Sequence, residues 1–135
     1  MKIALIGYGK MGKAIEAIAL QKGHEIVLKI DVSNANEFTK ENISNADVAI
    51  EFTGPHSAYE NIQKCISFGV PVVSGSTGWL DKWDTMSAYV TQHKGCLIYS
   101  SNYSIGVNLF FELNKYLAQL MDCLLYTSDA ADDLL

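Results

Sequence analysis

The sequence has no basic cluster and no long hydrophobic run. Among its 135 residues, Lys and Arg together number 10 and Asp and Glu 15, so the formal net charge is −5 at pH 7. This acidic balance argues against a nucleic-acid-binding surface. The apolar run after Lys2 ends at Gly7, before it reaches the length of a signal peptide or a membrane span. We therefore expect small molecules as partners, with no nucleic acid and no membrane among them.

Cysteine is also scarce. Cys65, Cys96 and Cys123 form an odd set without metal-ligand spacing, which predicts reduced thiols and a cytoplasmic location. None of the three histidines has a carboxylate or a nucleophile at the spacing of a catalytic group. The pattern therefore predicts no metal site and no catalytic triad.

What the sequence does contain is a regular alternation of short apolar runs and helix-like segments. The runs are apolar on both faces, as in strands that helices cover on both sides. Three helix-like segments end at a glycine, Gly23, Gly69 or Gly95, which suits a helix C-terminus. The predicted strands are Lys2–Ile6, Glu25–Asp31, Asp47–Thr53, Pro71–Ser74 and Cys96–Ser100, and the predicted helices between them are Lys13–Lys22, Ser57–Phe68 and Leu80–His93.

This order predicts an α/β fold, a doubly wound parallel sheet of the Rossmann-like type in a single domain. We expect helices on both faces and the strand order 3-2-1-4-5. Polar residues 32–45 are predicted to form a loop with at most one helical turn. An amphipathic helix is predicted over Val107–Met121, which closes a domain of residues 1–121. Residues 122–135 are acidic and are predicted to be a non-native or disordered tail.

Three glycines follow the first strand. The motif Gly7-Tyr8-Gly9-Lys10-Met11-Gly12 ends a strand and opens a helix, which is the context of a dinucleotide-binding loop. In such a loop the first glycine permits a tight turn, the second lets a pyrophosphate approach the backbone, and the third lets the helix pack on the strand. The helix N-terminus offers N–H groups and positive potential to the phosphates. The alternative is a glycine-rich turn without a ligand.

An acidic residue closes the second predicted strand. Asp31 ends the segment EIVLKID, about 20 residues after the glycines. At this position a carboxylate accepts hydrogen bonds from the adenosine ribose hydroxyls. The alternative is an aspartate that merely begins a polar loop. Together with the glycines, Asp31 indicates NADH as the cofactor, with NADPH possible.

Three further loops follow predicted strands at the edge where such folds bind ligands. In EFTGPHS, Thr53 and Gly54 are candidates to face a cofactor, and in SGSTGW the hydroxyls of Ser76 and Thr77 lie between two glycines. After the fifth strand, Asn102 either presents its amide to a nicotinamide carboxamide or caps the next helix.

Taken together, these loops resemble the N-terminal domain of the 4-hydroxy-tetrahydrodipicolinate reductases, also called dihydrodipicolinate reductases. The matching segments are IALIGYGKMGKAI, DVAIEFTGP, VPVVSGSTGW and SSNYSIGVNLF, which occur in order over about residues 1–121. Each motif is weak alone, whereas the set is specific. Members of this family reduce a cyclic dihydropyridine dicarboxylate with NADH or NADPH in the diaminopimelate–lysine pathway.

The resemblance implies a divided cofactor site. The adenosine diphosphate half is implied to lie on Gly7, Tyr8, Gly9, Lys10, Met11, Gly12 and Asp31. The nicotinamide half is implied to involve Phe52, Thr53, Gly75, Ser76, Thr77, Ser100, Ser101, Asn102 and Tyr103, with Thr77 also touching substrate. The first loop is one residue shorter than the family's commonest form, and Gly54 stands where an arginine is frequent.

The resemblance does not extend to the family's substrate domain, which carries the catalytic groups and assembles the oligomer. It thus implies a truncated chain that binds cofactor without turning over substrate, and a homo-oligomer only for the full-length protein. Two other functional hypotheses remain open at this point. One is a regulatory module that senses NAD or another nucleotide, and the other is a different NAD(P)-dependent dehydrogenase.

Overall fold

A five-stranded parallel sheet forms the centre of the structure, a computed structural model that describes residues 1–122. The chain divides into two units, Met1–Ser101 and Asn102–Leu135, and the sheet belongs to the first. Its strands are β1 (Lys2–Ile6), β2 (Glu25–Ile30), β3 (Val48–Glu51), β4 (Val72–Ser74) and β5 (Leu97–Tyr99). The helices of this unit are α1 (Lys10–Gln21), α2 (Lys40–Ile43), α3 (Ala58–Ser67) and α4 (Trp83–Gln92), with 3₁₀ turns at Val32–Glu37 and Leu80–Lys82. The predicted α/β parallel-sheet class is confirmed.

The strand order is β2-β1-β3-β4-β5, so the predicted order 3-2-1-4-5 is wrong. β3 pairs with β1, with Ile3 opposite Val48, instead of extending the sheet beyond β2. β2 therefore lies at an edge, where its exposed residues Glu25 and Lys29 are compatible with solvent. The alternation of elements predicted parallel strands, but it could not tell on which side of β1 the chain returns.

The two faces of the sheet have separate cores, because side chains alternate along each strand. On one face, Ala4 and Ile6 of β1 pack in a cluster with buried residues of α2, α3 and α4, among them Ile43, Ile62 and Met86. On the other face, Ile3 and Leu5 pack with Ala19 of α1. Helices on both faces, as predicted, hold the ends of the strands in place.

Several boundaries differ from the predicted ones. α1 begins at Lys10, inside the glycine motif, instead of at Lys13. Two of the three glycines that were predicted to end helices, Gly23 and Gly69, have φ values of 75° and 80°. After α4 the left-handed residue is Lys94, with φ 51°, instead of Gly95. Gly95 serves packing, since a Cβ there would lie 2.8 Å from Ile66 Cγ2.

The second unit is described by one helix, α5 (Ile105–Asp122), which agrees with the helix predicted over Val107–Met121. Large apolar side chains on this helix are exposed, with Leu109 at 66% and Leu113 at 62%. The prediction for the acidic tail falls almost entirely on residues 123–135, outside the described residues. Among residues 1–122, no helix is long and apolar enough to cross a bilayer.

Candidate cofactor site

A crevice of about 390 Å³ opens at the carboxyl edge of the sheet. The chain leaves β1 towards β2 on one side and leaves β3 towards β4 on the other. The strand order therefore reverses between β1 and β3, the point at which open α/β sheets bind their ligands. The loops after β1, β2 and β3 contribute to the lining through Gly7, Gly9, Asp31, Val32, Phe52, Thr53, Gly54, Pro55, His56 and Ser57, and further residues are Ile30, Ala35, Phe38, Asn61 and Lys64.

The glycine loop is shaped for a ligand that approaches the backbone. Gly7 has φ +100°, and a Cβ there would lie 2.2 Å from the carbonyl oxygen of Phe52. A Cβ on Gly12 would lie 2.3 Å from the carbonyl oxygen of Gly7, so both positions need glycine for packing. A Cβ on Gly9 would meet no atom within 4 Å, and Gly9 lines the crevice. The open space at Gly9 fits a pyrophosphate.

The N-terminus of α1 adds to this fit. Gly9 is its N-cap residue, and within the part of the chain that the structure describes no side chain caps it and no acidic residue lies in its first turn. Uncapped N–H groups at a helix N-terminus attract anions. Lys10 begins this helix and Met11 follows, both exposed.

Tyr8, predicted to contact the cofactor, turns its side chain towards α1. Its hydroxyl donates to Glu16 Oε2, and the Lys29 ammonium lies 5.0 Å from the ring centroid and 3.3 Å from Glu16 Oε1. The hydrogen bond to Glu16 raises the pKa of Tyr8 above its ordinary value, and the same bond lowers the pKa of Glu16. The Tyr8 side chain therefore contacts Glu16 of α1 and Lys29 of β2.

Asp31 directly follows β2 and begins a polar segment. Its backbone N–H donates to Asn34 Oδ1 over 2.7 Å, and its Oδ1 accepts from the Val32 N–H over 2.8 Å. This reciprocal capping starts the 3₁₀ turn Val32–Glu37. Asp31 is exposed and lines the crevice, and its contact with the adenosine ribose stays a prediction.

Sequence reasoning missed Glu51, the last residue of β3. Its side chain is fully buried and accepts hydrogen bonds from two loops. Thr53 donates from its backbone N–H over 2.8 Å and from Oγ1 over 2.5 Å, Ser74 Oγ donates over 2.5 Å, and Ser76 Oγ donates over 2.8 Å. A glutamate that ends the otherwise apolar strand VAIE was the available signal. Glu51 thereby holds two predicted site residues, Thr53 and Ser76, at one carboxylate.

Trp79 is a second missed residue, and it anchors the SGSTGW loop. The indole of Trp79 is buried, and its Nε1 donates to the carbonyl oxygen of Ser76 over 2.8 Å. Gly75 packs against the loop after β3, since a Cβ there would lie 2.2 Å from the Phe52 ring. Thr77 lies between these fixed points and is exposed. Contacts of Gly75 and Trp79 therefore fix the loop on both sides of Thr77.

The last predicted group, Ser100–Tyr103, is divided between the two units. Ser100 follows β5, and its N–H donates to the carbonyl oxygen of Ser74 over 3.3 Å. Ser101 ends the first unit, and Asn102 and Tyr103 begin the second. Asn102 Oδ1 accepts from the Ser104 N–H over 2.8 Å ahead of α5, while the hydroxyl that caps the helix is that of Ser104, which accepts from the Val107 N–H over 3.4 Å.

A family model and two relatives point to the same family. A family model described as "Dihydrodipicolinate reductase, N-terminus" matches residues 1–103. The 4-hydroxy-tetrahydrodipicolinate reductase of Christiangramia forsetii is 46% identical over 121 residues, covering 90% of this chain and 50% of that protein. The enzyme of the same name from Archaeoglobus fulgidus is 31% identical over 137 aligned residues, covering 90% of this chain and 53% of that protein. The chain thus spans about half the length of these relatives.

Solved structures support the fold. A hyperthermophilic archaeal homoserine dehydrogenase in complex with NADPH is similar with a TM-score of 0.56 and 14% identity, covering 74% of this chain and 43% of that chain. A mutant of a hyperthermophilic archaeal homoserine dehydrogenase, also in complex with NADPH, is similar with a TM-score of 0.57, covering 74% and 43% of the two chains at 15% identity. At this identity the likeness concerns the Rossmann-like fold alone. The family match and the identities show that this chain belongs to the dihydrodipicolinate reductase family and corresponds to its N-terminal domain.

Proposed function

We propose that this chain is the cofactor-binding half of a reductase that transfers hydride from NADH or NADPH to a cyclic dihydrodipicolinate-type substrate in lysine and diaminopimelate biosynthesis. The observation that carries the proposal is the crevice at the reversal of strand order, with the glycine loop on one wall and Asp31 beside it. The hydride chemistry belongs to the nicotinamide, and the chain contributes binding and orientation.

The site residues follow the geometry of the sheet. β2 lies on one side of β1, so Asp31 is assigned to the adenosine ribose, and the pyrophosphate is assigned to the backbone of Gly7–Gly12. β3, β4 and β5 lie on the other side, so their loops are assigned to the nicotinamide end. In the first unit these residues are Phe52, Thr53, Gly75, Ser76, Thr77, Ser100 and Ser101, and Thr77 is also assigned to substrate; Asn102 and Tyr103 are assigned to the same end on the family resemblance alone.

The proposed cofactor preference is NADH over NADPH. A 2′-phosphate on the adenosine ribose would meet the negative charge of Asp31. The sequence contains no arginine, and Lys29, the cation nearest in sequence, is engaged by Glu16 and Tyr8. Lys64 also lines the crevice, and its ammonium lies 5.4 Å from the centroid of the Phe38 ring. Lys64 is therefore the cation that can moderate the preference.

Two further assignments accompany the proposal. Cys65 and Cys96 are free thiols, which supports a reducing, cytoplasmic location. Catalytic groups and homo-oligomer formation are assigned to the part of the family's length that this chain does not span. Holding substrate and cofactor together contributes several kcal/mol to lowering a barrier, and the chain by itself lacks that contribution.

The test is a pair of assays on the 135-residue chain. Titration with NADH, followed by nucleotide fluorescence, should show saturable binding. NADH oxidation with freshly generated dihydropyridine dicarboxylate should show no protein-dependent rate. Absence of binding at millimolar NADH in a folded sample would refute the cofactor site. Oxidation near the rate of a full-length family member would refute the assignment of the catalytic groups.

A further inference from the structure

Glu51 has no role in the function proposed above, although it is the most deeply buried carboxylate of the site. Its exposed fraction is 0%, and that of Ser76, one of its partners, is 7%. A carboxylate in such a position needs hydrogen bonds to offset the loss of water. The bonds from Thr53, Ser74 and Ser76 supply them.

These bonds fix the direction in which each hydroxyl points. A hydroxyl has one hydrogen to donate and two lone pairs, whereas an ionised carboxylate has lone pairs only. Thr53 Oγ1 and Ser76 Oγ both donate to Glu51 Oε1, so each hydroxyl has only acceptor lone pairs left for other neighbours. Asn61 already uses Thr53 as an acceptor, because its Nδ2 donates to Thr53 Oγ1 over 3.3 Å.

We propose that Glu51 makes the carboxyl end of β3 a hydrogen-bond-accepting surface at Thr53, which lines the crevice, so that this side of the crevice selects a ligand group that donates hydrogen bonds. This inference rests on the proposed function, which assigns the nicotinamide to these loops. The nicotinamide carboxamide carries such a donor in its NH₂ group. Phosphate oxygens only accept, so this surface disfavours the pyrophosphate and leaves it to the N-terminus of α1. Glu51 is in this view a positioning residue that acts through Thr53.

The experiment compares two cofactors that differ in that donor. Reduced 3-acetylpyridine adenine dinucleotide replaces the carboxamide NH₂ of NADH by a methyl group and keeps the carbonyl. For each protein, calorimetric titration gives the ratio of the two dissociation constants, with the analogue in the numerator. For the unaltered chain we expect a ratio of roughly 3 to 10, the value of one net hydrogen bond.

In Glu51→Gln, the side-chain amide donates to one hydroxyl, whose hydrogen then turns towards the ligand. The ratio should fall to about 1, because the hydroxyl then donates to a carbonyl that both cofactors carry. Glu51→Asp keeps an acceptor-only group and should restore a ratio above 1. Glu41→Gln is the matched control, since Glu41 is exposed on α2, and its ratio should equal that of the unaltered chain.

The outcomes separate the two proposals. If the unaltered chain binds neither dinucleotide, the proposed function fails. If it binds both with a ratio near 1, or if Glu51→Gln leaves the ratio unchanged, the accepting surface is refuted while cofactor binding stands. Should Glu51→Gln not fold, Thr53→Val removes the acceptor that lines the crevice with Glu51 in place. A ratio unchanged in this variant would also refute the inference.

Discussion

At the scale of single residues, Asp31 determines the cofactor preference that we expect. At about 5 Å, a 2′-phosphate and this carboxylate repel by roughly 1–3 kcal/mol. Asp31 is exposed, so the lower end applies, and NADPH should bind about 5- to 10-fold more weakly than NADH. Asp31→Asn keeps a good N-cap residue and should abolish the difference. Parallel titrations with both nucleotides measure this difference in affinity, and tighter NADPH binding by the unaltered chain would contradict the expected preference for NADH.

Lys64 provides the opposing variant. Lys64 lines the same crevice as Asp31, and the positive charge of its ammonium attracts a phosphate. Lys64→Gln should therefore increase the NADH preference, while Lys40→Gln, a change of the same kind at an exposed site on α2, should leave it unchanged. If both variants give equal ratios, Lys64 does not contribute to the preference.

Cys65 is a residue whose ionisation the fold changes. Burial, with a further contribution from the negative charge of Glu51, raises the pKa of the Cys65 thiol from 9.0 to about 12. The protonated thiol therefore stabilises the fold below pH 9, and this contribution is lost as the pH rises towards 12. At pH 8, iodoacetamide should modify Cys65 more than about tenfold more slowly than the exposed Cys96.

Peptide mass mapping distinguishes the two thiols, and labelling in urea is the control, because unfolding should equalise their rates. Equal rates in the folded protein would show that Cys65 is accessible.

Residues such as Glu51 and Trp79 mark the limit of prediction from sequence at this scale. Glu51 bonds to hydroxyls 23 and 25 residues away, and no local pattern records such a meeting.

At the scale of elements, the strand–loop–helix unit at the N-terminus was the most predictable part of the chain. Local rules suffice there, because the glycine spacing, the apolar strand and the helix period all lie within about 20 residues. The side of β1 on which β3 returns was not predictable, since it depends on contacts between residues 45 apart, such as those joining Ile3 and Val48. The charged residues of β2 were the available signal for an edge strand.

Two glycines of the same loop give a matched pair of variants. Gly7→Ala places a Cβ 2.2 Å from a carbonyl oxygen at φ +100°, so the free energy of unfolding should fall by about 2 kcal/mol or more. Gly9→Ala meets no atom within 4 Å, so stability should change by less than about 0.5 kcal/mol. NADH binding by Gly9→Ala should weaken by about tenfold, the equivalent of 1.4 kcal/mol.

Urea unfolding and NADH titration measure the two effects on the same samples. Stability loss at Gly9, or undisturbed NADH binding by Gly9→Ala, would show that the open space at this glycine is not the pyrophosphate position.

At the scale of the whole molecule, the exposed apolar side chains of α5 predict association between copies. Ile105, Leu109 and Leu113 are 77%, 66% and 62% exposed, and large apolar patches favour contact with other surfaces. Sedimentation velocity should show a mass that rises with protein concentration. A double variant, Leu109→Lys with Leu113→Lys, should shift the sample towards monomer without changing NADH affinity. A monomer at all concentrations in the unaltered chain would refute the prediction.

The segment between β2 and β3 has a consequence for how the crevice fluctuates. Val32–Glu37 and α2 are short, and side chains secure them: Asn34 Nδ2 donates to the carbonyl oxygen of Lys29 over 2.9 Å, and Asn42 Nδ2 to that of Glu37 over 2.7 Å. Few backbone bonds have to break for such a segment to open, so its amide protons should exchange with solvent long before those of β1. A dinucleotide seated against Asp31 would close that opening. Loss of exchange at residues 32–43 would then report occupancy of the adenosine half separately from the nicotinamide half.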